Sequence, residues 1–359
     1  MLGKTPGQVL CAHCAMVPSA AVCVCCSLLV CPGCAADWTT CADVPGVELA
    51  MGRNRVLLSV DGTGARGLVA RRRSLMQRVF NAFPRPSFIE LATGNETALC
   101  CPVQSSALLH LCRDGQAIWT QQVRAADHYY AVVRTATRGG QHEETRVDVP
   151  LKGVTPDDRL LWEFYDNFLY TFEVPTKSVI RFVGLPRSLA PLSSSLDGPV
   201  LRLAIGLWEE LRVYGAADEQ VELLAKTEVR GEVRTCRMRN GRVVALASQV
   251  GETTLRVFEL RDDALRPDPS WTPEVGAGAA VELSRDGRFC AVARGDGTVL
   301  VRDFERGTTQ TLTGHRAPVS LLRFTDGEAA LISASINGQV FIRKRAGDVF
   351  AARSVRVER

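Results

Sequence analysis

The sequence predicts a mainly β protein, built from a repeated unit of four short strands, with a small metal-stapled head in front. Three observations carry that expectation. Equivalent strand positions recur at Phe172 in NFLYTFEV, Tyr214 in EELRVYG, Phe258 in TTLRVFEL, Arg302 and Arg343, with separations of 42, 44, 44 and 41 residues. From Val44 onward apolar and polar residues alternate between Gly, Asp and Asn turns, and no long helical period intrudes. Eight of the 13 cysteines lie before residue 42.

The composition sets bounds. A chain of 359 residues exceeds an ordinary domain of roughly 100–200 residues, which suits one large repeat body plus something small. The 46% hydrophobic share is ample for a core, and no run approaches the roughly 18 uncharged apolar residues that span a bilayer. No membrane insertion is expected. The formal net charge of +4 is mild for a dedicated nucleic-acid binder. Five lysines stand against 38 arginines, an excess that suits phosphate or carboxylate recognition but equally a GC-rich coding bias; the even spread favours the latter. The opening MLGKTPGQVL has neither the apolar core of a secretory signal nor the Arg/Ser-rich look of a presequence. An intracellular protein, cytoplasmic or nuclear, is expected, and clustered cysteines there point to metal. The Asn95-Glu96-Thr97 sequon is then incidental.

The head comes first, as residues 1–43. Cys11-x2-Cys14, Cys23-x2-Cys26 and Cys31-x2-Cys34 are three pairs within one short segment, and Cys41 follows. Two thiolates separated by two residues sit on one tight turn and reach one tetrahedral Zn²⁺ at about 2.3 Å. A segment this small has too little core to fold without such a staple. The arrangement resembles a B-box zinc module, in which the first and third pairs share one ion. The resemblance implies one or two Zn²⁺, with Cys11, Cys14, Cys31 and Cys34 at the first site. Cys23, Cys26 and Cys41 fall to the second, with Asp37 or Asp43 as the fourth ligand in place of the family's late histidines. His13 and Cys25 are read as non-ligands. A RING finger needs a histidine after its third cysteine and a longer loop between pairs, and this segment has neither.

The body, residues 44–359, is most regular between Asp296 and Arg343. Asp296-Gly297 begins an alternating strand, Gly314-His315 follows, and two further strands meet at Asn337-Gly338. This stretch resembles a WD40 repeat of a β-propeller, with Arg302-Asp303 and Arg343-Lys344 where that family carries Trp-Asp. Counting such units along the chain gives a divergent seven-bladed ring, and the resemblance implies a structural role for His315. Upstream, VELAMG, RVLLSV, GLVARR and LMQRVF read as one blade, and FIELATG, ALCCPVQ, ALLHLC and AIWTQQV as the next. VFAARSVRVE reads as the last strand, so each terminus supplies whole blades and the ring is expected to close without strand exchange.

Several motifs invite a chemical reading. Gly62-x-Gly64-x-x-Gly67 after a strand matches a phosphate-cradling pattern, and also the glycine loop of patatin-like lipases. The lipase nucleophile elbow requires Gly-x-Ser-x-Gly; Asn95 stands near that place, and Asp197-Gly198 then has no serine to serve. A hairpin turn is the expected role of the glycines. Cys100, Cys101, His110 and Cys112 on neighbouring strands read as core packing. Arg71, Arg72 and Arg73 form the densest positive run, read as a solvated strand or an anionic-partner surface. Residues 134–148, with Arg134, Arg138, Glu143 and Glu144, read as an inserted hairpin or loop that contacts partners. The function these residues imply is a non-enzymatic adaptor that holds other proteins in a multi-subunit complex. A ubiquitin-ligase component and an RNA-binding subunit are the alternatives, with nucleic acid not favoured.

Overall fold

The computed structural model describes Ala21–Val22 and Leu29–Val30, and residues 46–357 apart from 51–54, 72–86, 92–94, 100–105, 125–128, 137–141, 149–150, 152, 156–159, 166–167, 175, 183–184, 186–191, 198–199, 218–219, 250–251, 277–279 and 351–353. Among the described residues there is no α-helix, and nearly everything is strand. Four antiparallel four-stranded sheets are sheet A (residues 55–98), sheet B (106–147), sheet C (153–182) and sheet E (281–312). Sheet D spans residues 192–267 with seven strands in sequence order. Sheet F joins Val319–Phe324, Ala330–Ser335 and Gln339–Ala346 to two strands from the chain's ends.

The sheets pack face to face in a closed ring. Successive side chains on a strand point to opposite faces, so a strand buried on both sides reads as continuously apolar. In sheet D, Val243, Ala245 and Ala247 face a core inside the sheet, while Val244 and Leu246 join Leu283 and Val292 of sheet E. The same division repeats at every junction. Trp119 packs on Leu68 between A and B, Phe172 on Val133 between B and C, and Tyr214 on Phe182 between C and D. Phe289 packs near Phe324 between E and F, and Ile332 of F meets Leu57 and Ile89 of A. Val299 and Val301 of sheet E and Leu331 and Ile332 of sheet F are all buried.

The predicted periodicity falls where it should. Phe172, Tyr214, Phe258, Arg302 and Arg343 each occupy a strand that is third in its four-stranded unit, counting the end of Gln220–Arg239 as the first strand of sheet D's second half. Turn chemistry fixes the hairpins: Asn240 and Gly241 both take positive φ (45° and 72°), as a two-residue hairpin loop requires. At the predicted Asp296-Gly297 turn, Gly297 N–H donates to Arg294 O at 3.1 Å.

Three expectations are corrected. Gly46–Ala50, the VELAMG segment, does not open sheet A; it pairs antiparallel with Gln339–Ala346, with Val340 opposite Leu49. The ring therefore closes by strand exchange. The segment VFAARSVRVE is two elements: Val349–Phe350 pairs with Gln339–Ala346, and Ser354–Val357 runs parallel to Gly46–Ala50. Upstream the predicted units are out of phase by two strands. Ser87–Glu90 and Glu96–Ala98 complete sheet A, while Ser106–Leu111 and Ala117–Arg124 begin sheet B. Alternation reports which side of a strand is buried, not which sheet owns it, and these units lack the marks that phase the later ones. LMQRVF lies outside the described residues.

Candidate interaction site

The predicted metal ligands Cys11, Cys14, Cys23, Cys26, Cys31, Cys34, Cys41 and Asp37 lie outside the described residues, as do Arg72, Arg73, Arg138, Cys100 and Cys101. Among the described residues no group of three or more His, Cys, Asp or Glu is placed to hold a metal ion. Arg71 ends the strand Arg66–Arg71 of sheet A. His110 is half-buried on Ser106–Leu111, and Cys112 is buried in the core between sheets B and C, as expected of core packing.

Residues 134–148 are not an insertion. Tyr129–Ala136 and His142–Val147 pair along their length as the last two strands of sheet B. Their charges are largely matched: Arg134 Nε donates to Glu144 Oε1 at 2.6 Å, Arg146 Nε to Asp148 at 2.9 Å, and Glu143 pairs with Lys177 of sheet C. The mixed charge that made this stretch read as a projecting loop is cross-strand and neighbour pairing on an outer edge.

The glycine motif has a packing role. Gly62 sits in the turn between the first two strands of sheet A and touches the equivalent turn of sheet F: Asp326 N–H donates to Gly62 O at 2.6 Å. Gly62 N–H in turn donates to Arg113 O of sheet B at 2.8 Å, and Arg113 Nη1 reaches past it to Asp326 Oδ1 at 2.7 Å. A Cβ on Gly62 would lie 2.0 Å from Asp326 Oδ2, and one on Gly64 would lie 2.6 Å from Thr325 Cγ2. Close approach of two backbones is what the glycines permit. The same face continues round the ring. Arg285 N–H donates to Glu328 Oε1 at 3.1 Å, and Asn240 Nδ2 to Asp286 O at 3.0 Å. Asp197 ends Leu192–Asp197 and pairs with Val200 across a hairpin.

His315 and Arg343 meet on Ser333 inside sheet F. Arg343 Nη1 donates to Ser333 Oγ at 2.8 Å, and Ser333 Oγ lies 2.8 Å from His315 Nε2. A guanidinium only donates, so Ser333 Oγ accepts from Arg343, and the tautomer of the imidazole sets the direction of the Ser333–His315 bond. The ring stands edge-on to Phe341, centroids 4.6 Å apart. Burial, with the Arg343 charge adding to it, pushes the His315 pKa down to about 3. In sheet E, Asp303 is buried against Arg288 with Nη2 to Oδ2 at 2.7 Å. Its burial opposes ionisation, yet the Arg288 bonds hold its carboxyl below the usual range. Arg288 also reaches Asp348 at 2.7 Å, tying sheet E to sheet F.

One surface feature escaped the sequence, which marked EELRVYG only as a strand. Trp208, just before it, is 70% exposed, while the other exposed large apolar side chains among the described residues lie between 39% and 53%. Leu207 N–H donates to Glu210 O at 2.7 Å and closes a hairpin whose tip is Trp208-Glu209. Glu209 has φ 58°, a region that favours glycine. The tip is braced from behind, because Val233 N–H donates to Leu207 O at 3.3 Å and Trp208 pairs with Glu232, Glu210 with Glu228. Arg212 and Lys226 pair with Glu210, and Arg234 with Glu232. Glu209 and Glu228 have no ion-pair partner among the described residues. The only sequence signal was an aromatic next to two acids at a strand start.

No family model matches the chain, and no curated protein matches it. Among solved structures, the chain is similar to Sqt1 of Chaetomium thermophilum, solved bound to the N-terminus of the ribosomal protein L10. The TM-score is 0.56 at 12% identity, over 83% of this chain and 99% of that one. A likeness at this identity speaks for the fold, a WD40-like β-propeller.

Proposed function

We propose that this protein is a non-enzymatic adaptor: a seven-bladed propeller that holds other proteins in a larger assembly, carrying a zinc-stapled head. Seven blades follow if sheet D counts as two, divided within Gln220–Arg239. The carrying observation is the ring itself, whose strands are consumed in inter-sheet cores while turns such as Trp208-Glu209 present side chains to solvent. The likeness to Sqt1, captured with the N-terminal segment of another protein, supports a scaffold that receives a partner's segment. In this reading the protein works inside the cell and its turn faces, not a reactive centre, carry its function.

The head, residues 1–43, is proposed to bind one or two Zn²⁺ through Cys11, Cys14, Cys31 and Cys34, and through Cys23, Cys26, Cys41 and Asp37. Ala21–Val22 pairs with Leu29–Val30; the stretch between these strands carries Cys23 and Cys26, and Cys31 follows directly. A hairpin bearing one cysteine pair is compatible with a zinc turn. Because Gly46–Ala50 closes the ring, the head would sit beside the seam.

Affinity capture of the full chain from its native cell, quantified by mass spectrometry, tests the adaptor reading. Replacing residues 137–141 by a short Gly-Ser link, and separately Trp208→Ala, should each leave the melting temperature nearly unchanged. Loss of at least one stoichiometric partner in either variant is the expected result. A chain that captures nothing at stoichiometric level overturns the reading. Metal analysis of the same preparation should return one to two zinc ions per chain.

A further inference from the structure

Sheet F carries one strand more than its blade needs. Outside the ring-closing strand Gly46–Ala50 lies a fifth strand, Ser354–Val357, running parallel to it. Parallel pairing is slightly weaker per residue than antiparallel pairing, and closure does not depend on it. Register pairs from Gln339 opposite Ala50 to Ile342 opposite Val47 hold Gly46–Ala50 in the sheet from its other side. The chain is anchored upstream of the fifth strand. Val349–Phe350 pairs with Gln339–Ala346, and Phe350 is buried against Phe289 and Phe324 between sheets E and F. The Gln310 amide clips its backbone, Phe350 N–H donating to Oε1 at 2.8 Å and Nε2 donating to Phe350 O. Beyond that anchor, a four-residue strand on an edge is a unit that opens locally while the rest of the sheet stays paired.

What sits on this edge shows what the edge accepts. The register sets Val47 beside Val355, Glu48 beside Arg356 and Leu49 beside Val357. Residues side by side on neighbouring strands share a face, so an apolar–acidic–apolar edge is met by an apolar–basic–apolar strand, and opposite charges at adjacent places favour the pairing. Outer strands elsewhere carry their own protection: Glu143, Glu144 and Arg146 on His142–Val147, Arg181 on Ser178–Phe182, and Arg266 with Pro267 on Ala264–Pro267. Without its fifth strand, Gly46–Ala50 would present an open row of N–H and C=O groups, the template on which extended segments add. Its one charged residue, Glu48, sets the sign an incoming strand must carry at its centre.

We propose that the outer edge of Gly46–Ala50 is a strand-addition site for an extended segment of a partner protein with the pattern apolar–basic–apolar, and that Ser354–Val357 is its built-in competitor, which a partner must displace. That such a partner exists rests on the adaptor reading; the edge and its competitor rest on the pairing itself. Because closure is held from the Gln339–Ala346 side, the ring stays shut whichever strand occupies the edge.

The test uses the full chain, a variant with residues 354–357 replaced by Gly-Ser repeats, and a fluorescein-labelled peptide of residues 351–359 followed by fluorescence anisotropy. The variant should bind the peptide saturably, and the parent about tenfold more weakly or less, since its own strand competes at high effective concentration. Glu48→Arg placed in the variant should weaken binding about threefold. A peptide carrying Arg356→Glu should recover affinity on that background and lose it on the other, a crossed result that misfolding does not produce. Melting temperatures of parent and variant should nearly coincide; a markedly lower value in the variant would make the fifth strand part of ring closure and overturn the proposal. Hydrogen exchange of the parent reads the same point without mutation: amides of Ser354–Val357 should open at lower free energy than those of Gln339–Ala346. No saturable binding by the variant, equal affinity of parent and variant, an uncrossed charge swap, or equal protection of the two strands also overturns it. The capture experiment separates the two readings. Partners recovered without peptide binding remove the site and leave the adaptor; peptide binding with no partner recovered removes the adaptor and leaves the site.

Discussion

Two junctions in the ring solve the same packing problem by opposite means. Inside sheet D, the twenty-residue strand Gln220–Arg239 leaves one four-stranded unit and enters the next without a loop. At the seam between sheets F and A the ring is shut by pairing and not by the backbone: Gly46–Ala50, which leads along the chain into sheet A, is held in sheet F by its hydrogen bonds to Gln339–Ala346. Bringing segments some three hundred residues apart together costs on the order of 5 kcal/mol of chain entropy. The molecule spends three devices on that seam: the exchanged strand Gly46–Ala50, the Ile332–Leu57–Ile89 core, and the Gly62–Asp326–Arg113 turn cluster. A continuous strand needs none of these. The seam is thus where the ring should open first, ahead of the continuous strand of sheet D.

The largest expected effect breaks the seam core. Ile332 is fully buried between F and A, so Ile332→Asp places an unpaired charge there and should cost on the order of 4 kcal/mol in urea denaturation. Hydrogen exchange of the parent protein sharpens the contrast without mutation: amides of Gly46–Ala50 and Gln339–Ala346 should open at lower free energy than those of Gln220–Arg239. Equal protection at both junctions would contradict the comparison. Gly62→Val forces a Cβ against the Asp326 carboxylate and should cost about 2 kcal/mol.

A pH dependence follows from His315 in sheet F. Its folded pKa of about 3 lies below the unfolded value near 6.5, so the unfolded chain takes up a proton that the folded chain refuses. Stability from this residue is complete above pH 6.5 and falls as pH drops toward 3, by about 2 kcal/mol at pH 5. Urea midpoints at pH 7.5 and pH 5 should show the loss, and His315→Gln should flatten it. The smallest effect is the Arg113–Asp326 pair, half-open to solvent at the carboxylate. A double-mutant cycle should return less than about 1 kcal/mol, decreasing with salt.

Much of the body was legible in the order of residues. The third-strand marks from Phe172 to Arg343 are periodic because each unit must bury both faces of its strands in the same geometry. The Asp-Gly and Asn-Gly turns were legible because positive φ restricts the residue type. His315 was read as structural from Gly314-His315 alone. Arg343 was placed at the Trp position of the resembled repeat, but its bond to Ser333 was not legible, since nothing local says that a guanidinium will reach that serine from another strand. Trp208 was missed for a related reason: exposure is a property of what packs nearby, and a tryptophan beside a strand reads as core by default.

By itself the sequence determined the β class, the repeat length, the turn positions and the core face of most strands. These are local properties, fixed by side-chain alternation and backbone preference over a few residues. Only the tertiary structure decided which strands share a sheet upstream of Phe172, that Gly46–Ala50 completes the last sheet, and that Gly62 and Gly64 serve the seam. It also decided that the charges of residues 134–148 largely satisfy one another. Each of these depends on a meeting between segments far apart in the chain, whose geometry is set by ring closure and which no short window of residues encodes.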